Sequence, residues 1–178
     1  MAKNVTRKEL YGMFGAVSFV IAMVLLIGAG LAWKGYSFAN SQVHSQLTQE
    51  KIAFPPAGST TLSPTEFPGL QRYAGQAVDT GPKAKAYADQ FIWVHMMTAS
   101  GGQTYAQVST AAQTHPTDQK LAALKSVLFQ GYMLRSSLLT AYAFSVFGMV
   151  AGYTVVACLL AAAVVILLAL AALARSRT

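Results

Sequence analysis

The chain has 178 residues, 54% of them hydrophobic and only 11% charged, with a formal net charge of +7. Average soluble domains carry about 25% charged residues, so this composition belongs to a membrane protein. The basic balance does not indicate nucleic-acid binding, because the bases are scattered and form no stripe interleaved with aromatic residues.

Residues 1–12 are a short polar lead with Lys3, Arg7 and Lys8, read as a cytoplasmic N-terminus. Met13 to Trp33 then runs MFGAVSFVIAMVLLIGAGLAW without a charge. That length suits one spanning helix, assigned to 13–35, and exceeds the 7–15 apolar residues of a signal peptide. It is therefore read as an uncleaved anchor, with Trp33 and Tyr36 placed for an interfacial aromatic belt.

The segment 36–135 reads as a small domain. Phe38 to Thr48 has no helix breaker and is expected to extend the first helix by two or three turns. Glu50 to Phe54 looks extended and meets Pro55-Pro56, which excludes helix. GSTTLSPTEFPG, 58–69, reads as an exposed loop. A helix is predicted near 82–100. Pro82 suits its first turn, Ala84, Tyr87, Phe91, Val94, Met97 and Thr98 recur on one face, and Gly101-Gly102 ends it. Thr104 to Ser109 is expected to be extended or a turn, and Gln113 to Thr117 a loop.

From Asp118 the pattern turns helical again, and nothing breaks it before the second apolar run. Residues 136–174 carry no charged side chain, and as one helix they would be about 58 Å long. A bilayer's hydrocarbon core is about 30 Å thick, so the run is more than an anchor. It is assigned to a juxtamembrane stalk and a second span, with 175–178 a cytoplasmic tail. One helix of about 55 residues, near 118–174, is expected. A double crossing would need a turn at Gly152-Tyr153-Thr154, a poor one where lipid leaves no backbone group satisfied.

The fold class that follows is a mainly α membrane protein. Two transmembrane helices flank a small helical extracytoplasmic domain, since short basic flanks at both ends favour a cytoplasmic location for the termini.

Catalytic and metal-ligating patterns are sparse. His44, His95 and His115 do not pair at helical spacing, and no close carboxylate pair, nucleophile elbow or phosphate loop occurs. His95-Met96-Met97 has the ligand types of a soft-metal site, but neighbours on a helix point different ways. No catalytic residue, cofactor or metal site is assigned, and the chain is read as not an enzyme. Arg135 stands above the apolar run, either snorkelling at the interface or pairing with Asp79 or Asp89 to tie the domain to the helix. Ala141, Ser145, Gly148 and Gly152 form a small-residue stripe, and Gly12/Ala16 and Gly28/Ala32 do likewise in the first span. Such stripes let helices approach closely, either each other or a partner's. Cys158, the only cysteine, precludes an internal disulfide.

SQLTQEKI, then GPKAKAYADQFIWVHMMTASGGQTYAQV, then LRSSLLTAYAF leading into a final span, resemble a family of small actinobacterial two-span membrane proteins. Members are often labelled aromatic ring-opening dioxygenase, and residues 55–72 and 109–126 look like insertions. The resemblance implies an actinobacterial plasma membrane. It does not carry the dioxygenase activity here, because non-haem iron chemistry wants two His and a carboxylate and the three His are scattered. The expected function is an accessory or assembly subunit of a larger plasma-membrane complex, plausibly respiratory. The alternative is an extracytoplasmic ligand-binding or sensing module. The expected partners are the lipid bilayer and other membrane subunits or a second copy, not nucleic acid.

Overall fold

The computed structural model describes residues 6–177. The expectations for Lys3, for residues 1–5 of the lead and for Thr178 of the tail lie outside them. Helices dominate: α1 (Arg7–Gln49), α2 (Gly81–Ala86), α3 (Trp93–Ser100), α4 (Tyr105–Thr114) and α5 (Gln119–Arg177). Among the described residues there is no strand, only one antiparallel bridge between Ala53 and Ala77. α1 and α5 are both long and apolar enough to cross a membrane. α5 passes through Gly131 and Gly152 without a break. The chain divides into two units, 1–38 with 147–178, and 39–146.

In the first unit the buried or half-buried positions of α1 include Gly15, Ser18, Ala22, Leu25, Ala29, Ala32 and Tyr36. They alternate three- and four-residue steps, the 3.5-residue period of a left-handed pair. On α5 the buried positions Gly148, Val155, Ala162 and Ala169 recur every seven residues. The two series face each other. A Cβ on Gly15 would press on Leu173 and reach 3.4 Å from the Ala169 carbonyl, and one on Gly152 would lie 3.1 Å from the Tyr36 ring. Small side chains bring the backbones together, which is what packs helices where lipid is as apolar as leucine. Large side chains such as Val24, Leu31, Leu160 and Leu167 are left on the outside. The seam corrects the four-residue stripes expected in α1. Ala16 is exposed and Gly12 only half-buried, while Gly28 meets nothing within 4 Å.

The second unit has its own core, built on Phe54, Leu62, Leu70, Val78, Val108, Leu128 and Leu138. α1 contributes Val43 and Leu47 to it and ends where Lys51 takes a left-handed φ of 52°. Phe54 N–H then donates to the Gln76 carbonyl at 2.9 Å, and Val78 N–H to that of Ile52 at 2.9 Å. The stretch expected to be an exposed loop is pinned instead. Two 3-10 turns, Thr60–Leu62 and Pro68–Tyr73, drive in Leu62, Phe67 and Leu70. The Gln71 amide closes the loop by donating to the carbonyls of Leu62 and Phe67 at 2.9 and 3.1 Å.

The helix expected near 82–100 begins at Gly81 and is not one α-helix. A π-helical turn, Tyr87–Ile92, joins α2 to α3, and Trp93 N–H reaches back to the Ala88 carbonyl. Within the helical segment one buried series, Ala84, Ala88, Ile92, Met96 and Ser100, stands four apart. In a pure α-helix each such step drifts by roughly 40°. A π turn holds one more residue than an α turn and offsets that drift. The apolar face read from 3.6-residue spacing is therefore only half-buried at Tyr87, Phe91, Val94 and Met97, and Thr98 is exposed.

Residues 104–109, expected to be extended or a turn, open α4. Thr104 and Gln107 form a capping box, with Gln107 Oε1 accepting from Thr104 N–H at 2.8 Å.

Gly131 lies where a Cβ would run into the Met96 thioether. Methionine is flexible, and Gly→Ala in a helix interior gains up to about 1 kcal/mol. Gly131→Ala is therefore expected to leave the thermal midpoint of the purified protein within a few degrees of wild type, whereas Gly131→Leu should lower it clearly.

Candidate functional site

In the second unit one ion-pair cluster joins α2, the π turn and α5. Arg135 Nη2 donates to Asp89 Oδ1 at 2.7 Å, and Lys85, one helical turn before Asp89, pairs with the other carboxylate oxygen. The π turn carries Asp89, and α5 carries Arg135. The Arg135 guanidinium also lies over the Trp93 ring, 4.9 Å from its centre, and the Lys85 amine lies 5.3 Å from that of Tyr142. Arg135 Nε is buried without a hydrogen-bond partner.

Asp79 is not in this cluster. Its carboxylate accepts from Lys83 Nζ at 2.9 Å, and its backbone carbonyl lies 3.1 Å from His44 Nδ1 of α1. Of the two carboxylates considered for Arg135, the structure brings Asp89 to it and sends Asp79 to Lys83. Lys83 and Lys85 were missed in the sequence, although each stands four residues from its acid, the spacing of neighbours on a helix.

The hydrogen bond from Lys85 holds the Asp89 carboxyl below its ordinary 3.8, against an opposing push from burial, with Arg135 adding to the lowering. The Lys83 bond does the same for Asp79. A carboxyl depressed in the folded state stabilises it fully above the unfolded value, and the contribution fades as pH falls from about 4 through the depressed values. Melting of the domain is thus expected to move to lower temperature between pH 5 and about 3. Asp89→Asn should flatten that dependence, read by circular dichroism across the range.

His95 is held by its neighbours. Its Nδ1 lies 2.9 Å from the Phe91 carbonyl, and its ring stacks on Phe67 with centroids 5.2 Å apart and planes within 2°. Phe91 completes the group at 4.3 Å. Met96, by contrast, is buried against Gly131, so His95 and Met96 serve different faces. Among the described residues no three His, Cys, Asp or Glu side chains converge in a way that could hold a metal.

The small-residue candidates divide between the units. Gly148, Gly152 and Ala32 line the seam of the first, while Gly28 lies half-buried beside it. Ala141 and Ser145 belong to the second, where a Cβ on Gly81 would fall on Ser145 and lie 3.5 Å from the Tyr142 backbone. The stripe thus packs the chain on itself, Gly148 and Gly152 along α1 and Ser145 against the start of α2. Large apolar side chains that this packing leaves exposed in the second unit include Val127, Phe129, Met133 and Leu134 of α5.

No family model matches the chain, and neither a curated protein nor a solved structure gives a significant match.

Proposed function

We propose that the chain is a non-enzymatic, two-span membrane protein serving as an accessory or assembly subunit of a larger plasma-membrane complex; its resemblance to small actinobacterial membrane proteins implies the membrane and not the role. The observation that carries this reading is the exposed apolar surface of α5 in the second unit, where Phe129 and Met133 are 48% and 54% exposed. A domain outside the lipid that leaves such residues open has a surface suited to a protein partner. The ion pairs found among the described residues all join side chains within the second unit.

Orientation follows from charge. The contact of Gly15 with Leu173 places Arg7, Lys8, Arg175 and Arg177 at one end of the helix pair. The positive-inside rule assigns that end to the cytoplasm, and the intervening 39–146 to the outside. One observation favours the second reading, an extracytoplasmic binding or sensing module: the unpartnered Arg135 Nε would suit an anionic ligand.

Purification in mild detergent followed by mass spectrometry separates the two. A stoichiometric larger assembly that is lost in Phe129→Ser/Met133→Ser, with the fold intact, supports the subunit reading. A lone chain carrying a small molecule selects the other.

A further inference from the structure

The end of the helix pair that gathers both basic flanks has a property the subunit reading does not use. Arg7 and Lys8 open α1, and Arg175 and Arg177 close α5. Among the described residues at this end the acidic side chain is Glu9, and it is engaged locally. Its carboxylate accepts from Thr6 N–H at 2.8 Å and from the Thr6 hydroxyl at 3.0 Å, capping the start of α1. Among the described residues no carboxylate forms an ion pair with Arg7, Lys8 or Arg177. Directly beneath these bases the surface turns apolar, with Leu10, Met13 and Phe14 exposed on α1 and Leu170 on α5.

We propose that this end is a binding site for an anionic phospholipid, its phosphate held between Arg7/Lys8 and Arg175/Arg177 and its acyl chains lying on the apolar surface below. Charge complementarity chooses the sign of the ligand: among the described residues Arg7, Lys8 and Arg177 pair with no carboxylate, and Glu9 is engaged as a cap. The abrupt change from basic to apolar surface chooses the source. A free phosphate would use the bases alone, whereas a phospholipid uses both. Each base near a membrane surface attracts anionic lipid, and bases on two helices can hold one headgroup from two sides. The proposal rests on α1 and α5 spanning a bilayer, but not on the existence of a protein partner.

The test uses the full chain reconstituted in nanodiscs of phosphatidylcholine with one-fifth phosphatidylglycerol, and native mass spectrometry of the lipids retained on ejection. Wild type should retain phosphatidylglycerol severalfold above its share, and added inorganic phosphate should not displace it. R7Q/K8Q/R175Q/R177Q should lower the retention by about fivefold per base removed until it reaches the bulk ratio. R175K/R177K should keep most of it, and Lys34→Gln, at the opposite end, should keep all of it. Retention at the bulk ratio in wild type, or unchanged retention in the quadruple variant with helix content preserved, overturns the proposal. Displacement by inorganic phosphate overturns the lipid as its source. Failure of the chain to enter nanodiscs at all overturns the membrane reading itself, a result separate from loss of selectivity.

Discussion

Phe54→Ala is expected to unfold most of the second unit at temperatures where the wild type is intact. Phe54 is 2% exposed and stands between two rings, stacked on Tyr73 at 5.2 Å and edge-on to Tyr87 at 5.1 Å. Its backbone sits beside the Ala53–Ala77 bridge, so the ring also fixes where the chain re-enters after α1. Removing a buried phenylalanine costs about 3–5 kcal/mol, the transfer of its carbons plus the void left behind. That is a large share of the stability of any small domain. Hydrogen exchange read by mass spectrometry should show faster exchange in 52–114 while the apolar parts of α1 and α5 stay protected. Equal exchange in both proteins would mean that the aromatic group is not what holds the unit together.

The second large effect is expected in the seam. Ala162 is 1% exposed, and Ala22 is 2% exposed on the facing helix. Leucine at either position inserts three carbons into the buried seam. Overpacking of a tight site costs about 1–3 kcal/mol. The helices cannot recover it by burying leucine, because lipid is as apolar as the seam. Ala162→Leu should therefore separate the pair without expelling either helix from the bilayer. A fluorescence-transfer pair placed at the two ends of the first unit would report the separation. Ala162→Gly, which keeps the seam open, should leave the transfer unchanged.

Much of this architecture is legible from composition and length alone. The uncharged run 136–174 and its helical approach from Asp118 leave little choice but a long continuous α5, and Pro82 marks the start of α2 to within a residue. The seam was harder to read, because pairs of small residues four apart, such as Gly28 and Ala32, also occur where high glycine and alanine content places them. Only the alternation of three and four from Gly15 to Tyr36 distinguishes the packed face. α4 was missed although Thr104 and Gln107 spell a capping box, since the preceding Gly101-Gly102 draws attention to an ending rather than a beginning. The partner of Arg135 could be narrowed to two carboxylates. Choosing Asp89 required knowing the rotation of the segment that carries it, which the π turn sets.

That turn also makes the helix sensitive to counting rather than to chemistry. Gln90 is exposed within it, its side-chain oxygen lying beside Gly69. A chain lacking that one position would keep every apolar side chain it has and could relax to an ordinary α-helix. Everything beyond it would keep its rotation, because the lost residue and the lost wide turn offset each other, each by roughly 100°. Met96 and Ser100 would stay on the buried face, whereas straightening the turn with every residue kept would swing both out of the core.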